Sequence, residues 1–187
     1  MAEQGRAQRR RSIRNRVMVG VVAAAVVVVI VIRNVNDRRA SQRVVAQLTA
    51  RSCELFDRLS DGGSSHVASP SYGVDPPSGG DHSPAAASAG VYSEGNAPGD
   101  GELVHAMEHG YVILWHRPDV DDPQRDVLDD IATRFERDVL LVPRKALERP
   151  VAATAWHRRL LCRDAEGDTL TRFVRQYRNE GPERIPH

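Results

Sequence analysis

HAMEHGYVILWH, at His105–His116, joins two patterns that together indicate where the folded core begins. Its second half, Tyr111–His116, is a short apolar run, which predicts a buried strand. Its first half places His105 and His109 four residues apart, and on a helical turn two side chains at that spacing project from one face. From Leu103 onward the sequence therefore predicts a globular core with a histidine pair beside its first strand.

Strand and helix patterns follow one another downstream of that strand. A helix is predicted over 121–138, because Pro123 stands at a first-turn position and apolar residues recur at helical spacing. A second amphipathic helix is predicted over Asp168–Asn179. Further strands are predicted at Val139–Pro143, Val151–Trp156 and Arg158–Cys162. The order strand, helix, strand, strand, strand, helix predicts a small mixed-sheet domain of the α+β or α/β class, and thioredoxin-like folds are among those that share this order.

The region upstream of the core is a long segment rich in glycine, serine and proline, a composition typical of a linker. It also carries His66 and His82, which a pure spacer does not require. Long loops inside a compact domain are usually either disordered or functional. Before this loop, apolar residues at roughly helical spacing predict a helix over Val35–Leu59.

The N-terminus predicts a membrane anchor. Arg6–Arg16 contains six arginines, and the apolar run Val17–Ile32 that follows contains no charged residue. A spanning helix needs about 20 apolar residues, with roughly 17 as a lower limit, and flanking arginines can extend the span by reaching the interface. A cleaved signal peptide is the alternative, but no small-residue cleavage motif follows Ile32. The positive-inside rule then places the basic tail in the cytoplasm and the C-terminal domain outside the cell membrane. The chain is thus predicted to be a single-pass membrane protein.

Five segments follow from these patterns. They are a basic cytoplasmic tail (1–16), a transmembrane helix (17–32), a juxtamembrane helix (33–60), a histidine-containing loop region (61–102) and a globular α/β core (103–183). The formal net charge is only +1, and the basic excess lies in the tail, which argues against nucleic-acid binding. The predicted partners are the lipid bilayer, through Val17–Ile32, and a protein of the cell envelope.

The chain contains two cysteines, Cys53 and Cys162, far apart in sequence. Outside the cytoplasm a pair of thiols tends to form a disulfide. The two residues do not form a C-x-x-C motif, so a thiol oxidoreductase site is not supported. We therefore predict that Cys53 and Cys162 are joined by a structural disulfide.

Six short motifs resemble those of a known family. They are PPSGGDH (Pro76–His82), GVY (Gly90–Tyr92), LVHAMEHGYVILWH (Leu103–His116), VLLVPR (Val139–Arg144), PVAATAW (Pro150–Trp156) and YRNEGPE (Tyr177–Glu183). In this order they resemble the bacterial domain-of-unknown-function family 3105, over roughly Cys53 to Glu183. The resemblance implies one N-terminal transmembrane helix and an exported domain. The chain departs from the family pattern at Asp81, where the family usually has a proline.

Histidines are the strongest candidates for a functional site. The i,i+4 spacing of His105 and His109 suits two imidazole ligands of one metal ion. His82 and His66, from the preceding loop, are predicted to complete the set, and Met107 and Glu108 are further candidate ligands. Imidazole suits zinc and copper, and an added thioether would favour copper(I). Because only the neutral imidazole binds a metal, affinity is expected to fall below a pH of about 6.

Other functions remain open at this point. The zinc-protease motif H-E-x-x-H is not matched, because Ala106 stands where the glutamate is needed, and there is no G-x-S-x-G nucleophile motif. The histidines could instead serve packing and hydrogen bonding alone. The sequence therefore leaves two hypotheses, a metal-binding domain and a structural or protein-interaction module of the envelope, with an enzyme ranked third.

Overall fold

The structure is a computed structural model that describes residues 26–33, 35–36, 39, 52–59 and 62–183. The chain divides into two compact units, Met1–Val45 and Ala46–His187. In the first unit, residues 26–33 are helical and their side chains are exposed. Residues 17–25 of the predicted span lie outside the described residues. Among the residues that are described, no helix has both the length and the apolar character needed to cross a membrane.

The second unit contains a six-stranded mixed sheet and three helices among its described residues. In chain order they are β1 (Cys53–Asp57), β2 (Gly90–Val91), α1 (Asp100–Glu108), β3 (Val112–His116), α2 (Asp122–Arg134), β4 (Val139–Pro143), β5 (Val151–Ala155), β6 (Arg158–Cys162) and α3 (Gly167–Tyr177). The strand order across the sheet is β1-β6-β5-β3-β4-β2. From β3 to α3, the predicted order of elements is confirmed.

The centre of the sheet is the apolar run after the histidine pair. All five residues of β3 are buried, as are all five of β5. β3 runs parallel to β4 and antiparallel to β5, and α2 makes the crossover between the parallel pair. α2 begins where the sequence indicated, because the Asp121 carboxylate accepts a hydrogen bond from the Gln124 amide at 3.0 Å. A strand covered on both faces needs apolar residues at every position, which explains the unbroken run.

The edge of the sheet corrects one prediction. Residues Cys53–Asp57 form a strand antiparallel to β6, so the helix predicted over Val35–Leu59 is wrong at its C-terminal end. Cys53 pairs with Cys162 in the register of these strands, and a disulfide joins the two residues. The disulfide prediction is confirmed. The strand forms through its pairing with β6, more than a hundred residues away, which a local apolar spacing cannot reveal.

The loop region also differs from a spacer. Residues 76–80 and 82 are buried, and the last residues of the predicted loop already belong to α1. That helix begins after Gly99, whose amide donates to the Glu102 carboxylate at 2.8 Å. It ends before Gly110, which adopts a φ of +96° that other residues rarely adopt. α1 therefore places the histidine pair on the last turn of a helix, directly before β3.

Candidate metal centre

One face of α1 supplies three of the candidate ligands. His105, Glu108 and the capping residue His109 stand at i, i+3 and i+4, so their side chains leave the helix on the same side. Met107 is turned by about 200° from His105 at 100° per residue. It is fully buried in the hydrophobic core, which corrects its inclusion as a possible ligand.

The loop supplies the other two histidines through a short backbone pairing. His66 and His82 form an isolated parallel bridge. The His82 amide donates to the Ser65 carbonyl at 3.0 Å, and the Val67 amide donates to the His82 carbonyl at 2.8 Å. These bonds hold two imidazoles, sixteen residues apart in sequence, side by side.

The same loop is packed tightly against the N-terminal half of α1. The Ser83 amide donates to the Gly101 carbonyl at 3.2 Å, and the Ala87 amide donates to the Glu102 carbonyl at 3.0 Å. A Cβ atom added to Gly101 would lie 2.2 Å from the Ser83 hydroxyl oxygen, so this approach needs a residue without a side chain. The loop and the helix therefore bring their histidines together through contacts of the backbone.

Four ligand atoms converge at this junction. One atom each from His66, His82, His105 and Glu108 lies within 4.8 Å of the others. The Nε2 atoms of His66 and His105 are 3.4 Å apart, and His82 Nε2 lies 2.9 Å from Glu108 Oε2. Two nitrogens bound to one tetrahedral ion at 2.0–2.1 Å are about 3.3–3.4 Å apart. The His66–His105 pair already stands at the separation of two metal ligands, and the His82–Glu108 pair is closer.

The orientation of two rings favours metal binding. His82 Nδ1 lies 2.9 Å from the Gly80 carbonyl oxygen, and His105 Nδ1 lies 2.8 Å from the Ser83 carbonyl oxygen. A carbonyl only accepts, so each Nδ1 must carry the proton, and in the neutral ring Nε2 then presents its lone pair. Metal-binding histidines usually donate their second ring nitrogen to a carboxylate, a backbone carbonyl or water. Both rings thus show the arrangement expected of zinc or copper ligands.

The deepest part of the cluster is a buried contact between His82 and Glu108. The side chains of His82 and Glu108 are 0% and 4% exposed. His82 Nε2 and Glu108 Oε2 lie 2.9 Å apart, and apart from each other neither atom has a hydrogen-bond partner among the described residues. Since Nδ1 of His82 donates to the Gly80 carbonyl, the neutral ring presents its Nε2 lone pair to the Glu108 carboxylate, which is also an acceptor. Coordination by a shared cation would satisfy both atoms at once.

Burial lowers the pKa of His105, and the nearby rings of His109, His82 and His66 lower it further. The hydrogen bond to the Ser83 carbonyl acts in the opposite direction and raises it. The net shift is downward, which keeps this imidazole neutral over a wider pH range. The neutral ring is the form that binds a metal.

His109 lies at the outer side of the cluster. Its Nε2 atom is 3.1 Å from His105 Nε2 and 3.6 Å from the carboxylate of Glu183. On the opposite, inner side, the Trp156 ring meets the His82 ring edge to face, with centroids 6.0 Å apart. All four histidines predicted from the sequence are brought together here, and Glu108 joins them. The carbonyls of Gly80 and Ser83 were not predicted, because backbone acceptors leave no signal in residue types.

A family model described as "Protein of unknown function (DUF3105)" matches residues 65–186. The chain belongs to this family. The DUF3105 segment includes the complete histidine cluster and Glu183, whereas Cys53 and the apolar N-terminal run precede it. No curated protein and no solved structure matches the chain.

Proposed function

We propose that this DUF3105 domain binds a divalent metal ion, zinc or copper(II), through His66, His82, His105 and Glu108. The observation that carries the proposal is the pair of Nδ1–carbonyl contacts at His82 and His105, which leave both Nε2 atoms able to bind a metal, that of His82 at 2.9 Å from the buried Glu108 carboxylate. Three imidazoles and one carboxylate form a ligand set suited to zinc and copper(II). Because Met107 lies in the core, the thioether that would favour copper(I) is missing from this set.

We further propose that the domain works outside the cytoplasm, tethered to the cell membrane. The support is the arginine-flanked apolar run Val17–Ile32, for which a spanning helix with the basic tail inside is the simplest arrangement. The Cys53–Cys162 disulfide agrees with an oxidising compartment. In this arrangement the lipid bilayer is one partner, and the metal is bound on the outer side. An envelope protein that supplies or receives the metal would be the second partner.

We also propose a relationship to thioredoxin-like folds, which rests only on the order of the strands and helices. The four strands β4-β3-β5-β6 are neighbours in the sheet, with a helix after β3 and another after β6. This supports the mixed-sheet arrangement named from the sequence. It supports no thioredoxin-like chemistry, because the chain's two cysteines are 109 residues apart, form no C-x-x-C motif and are joined across a strand pair.

The metal proposal is tested on the full-length chain purified in detergent. We expect about one equivalent of bound metal by elemental analysis or, after chelation, by titration with Zn²⁺ and Cu²⁺. His105→Ala and Glu108→Gln should each weaken binding by about 10–100-fold or more. His157→Ala and Glu148→Gln are the matched controls, since neither residue belongs to the cluster.

The outcomes of this experiment distinguish the two hypotheses that the sequence left open, a metal-binding domain and an interaction module of the envelope. Circular dichroism shows whether each variant keeps its fold, and Glu108→Gln is the more conservative change because it preserves shape. A wild-type chain that neither contains metal nor gains thermal stability with Zn²⁺ or Cu²⁺ overturns the proposal. The histidines would then be structural, and the envelope interaction module would replace the metal-binding function.

A further inference from the structure

The imidazoles form a graded series from the interior to the surface. His82 is completely buried and His105 is 6% exposed. The His109 side chain is 15% exposed, and the Glu183 carboxylate beyond it is 59% exposed. His66 also lies on the exposed side. An ion arriving from solvent meets His66, His109 and Glu183 before it can reach His82 and Glu108.

His105 lies at the centre of this series. Its Nε2 atom is 3.4 Å from His66 Nε2 and 3.1 Å from His109 Nε2. Those separations bracket the roughly 3.3–3.4 Å expected for two nitrogens on one tetrahedral ion. His66 and His109, each at such a separation from His105, therefore form with it a second candidate set, on the solvent side of His82 and Glu108.

The outer carboxylate is held in place by the backbone. The Asn179 amide donates to the Gly110 carbonyl at 2.8 Å, and the Glu183 amide donates to the Glu108 carbonyl at 3.1 Å. A Cβ atom on Gly181 would lie 2.0 Å from that same Glu108 carbonyl oxygen. The segment from Asn179 to Glu183 is thus packed onto the end of α1, which sets the Glu183 carboxylate beside His109.

Because both ligand sets include His105, they cannot each hold a metal ion at the same time. Because its Nδ1 donates to the Ser83 carbonyl, the neutral ring has one lone pair, at Nε2, and can bind one ion at a time. A single ion can, however, change ligands around His105 by leaving His109 and gaining His82 and Glu108. Such an exchange forms and breaks only metal–ligand bonds, with no change in oxidation state.

We propose that His109, with Glu183 beside it, forms an outer capture position together with His66 and His105, through which the metal passes to the inner position of His66, His82, His105 and Glu108. The inference rests on the proposed metal-binding function. It assigns His109 to the route of uptake and release, and His82 with Glu108 to the final bound state. A residue on the route changes the rates in both directions, whereas a ligand of the final state changes the equilibrium affinity.

The test compares rates with affinities in the full-length chain in detergent. The metal-free chain is mixed with Zn²⁺ in a stopped-flow instrument, and release is followed with a chelating indicator. His109→Ala is expected to slow both association and dissociation about tenfold, the effect of about 1.4 kcal/mol on each barrier. The equilibrium affinity should change less than about threefold. Glu183→Gln should slow association more at low salt than at high salt, because an exposed carboxylate is screened by ions.

Glu108→Gln and Glu148→Gln complete the comparison. Glu108→Gln should lower the equilibrium affinity mainly through faster dissociation, and Glu148→Gln should change neither rate. An unchanged association rate in His109→Ala overturns the capture position. A loss of affinity in His109→Ala as large as that in Glu108→Gln also overturns it, because His109 would then be a ligand of the final state. A wild-type chain without any metal binding overturns the proposed function itself, and the capture position with it.

Discussion

Reduction of the Cys53–Cys162 disulfide should cost the domain a large part of its stability. The bond closes a loop with a sequence separation of 109 residues. In the chain-entropy model, a cross-link over a loop of this length destabilises the unfolded state by about 4–5 kcal/mol. For a domain of this size that corresponds to a loss of about 8–20 °C in Tm, since 1 kcal/mol shifts Tm by about 2–4 °C.

Reduction is the cleanest perturbation, because it keeps both buried sulfur atoms in place. Urea unfolding of the metal-free chain, followed by far-UV circular dichroism with and without reductant, measures the change. The slope of the unfolding free energy against urea should increase on reduction, because the unfolded chain becomes less compact and exposes more surface. The double variant Cys53→Ala/Cys162→Ala is the control, and its unfolding should not respond to reductant.

The reasoning fails in two distinguishable ways. Alkylation of two free thiols in protein isolated without reductant would show that the bond does not form in the cell. A stability loss below about 1 kcal/mol, with the bond demonstrated in the oxidised sample, would show that loop closure is not how it stabilises the domain. β1 would also be affected, since its strand partner in the described sheet is β6 alone.

Three further predictions address acidity, packing and topology. Burial lowers the pKa of His116, and a neighbouring guanidinium lowers it further, whereas a hydrogen bond to a backbone carbonyl raises it. As the pH falls, the unfolded chain therefore takes up a proton near pH 6.5, before the folded chain does. The contribution of His116 to the unfolding free energy should be complete above about pH 6.5 and should be lost as the pH drops through the lowered pKa of the folded chain. NMR titration that places the His116 pKa above 6.5 would contradict this, with urea unfolding at pH 7.5 and 5.5 as the second measurement. Gly181→Ala should destabilise the domain by about 1–3 kcal/mol, because the added Cβ atom would lie 2.0 Å from the Glu108 carbonyl oxygen. The control is Gly73→Ala, which should be nearly neutral in the same assay, since no atom lies within 4 Å of a Cβ atom added there. A reporter fused after the C-terminus should be active only in an exported form, and activity of a cytoplasmic reporter there would refute the anchoring by Val17–Ile32.

The core of the fold was predictable because its signals are local. The apolar run at β3, the capped amphipathic pattern of α2 and the periodicity of α3 each depend on neighbours within a few residues. β1 was not predictable in this way, since residues Cys53–Asp57 become a strand only when β6 is present beside them. α1 was hidden by the composition of the loop before it, because a glycine-rich start resembles the end of a linker.

In the candidate site, too, the features set by local spacing were predictable and those set by distant contacts were not. The sequence by itself determined that His105 and His109 share one face wherever this segment is helical, because that relation follows from a spacing of four residues, and it identified His66 and His82 as residues that a spacer does not need. Only the tertiary structure decided that Glu108 joins these histidines while Met107 packs into the core. Only the tertiary structure also revealed the carbonyls of Gly80 and Ser83 that orient the two inner rings. The physical reason is that ligand convergence depends on where a distant loop meets the helix, and this meeting is made by backbone atoms that every residue carries alike.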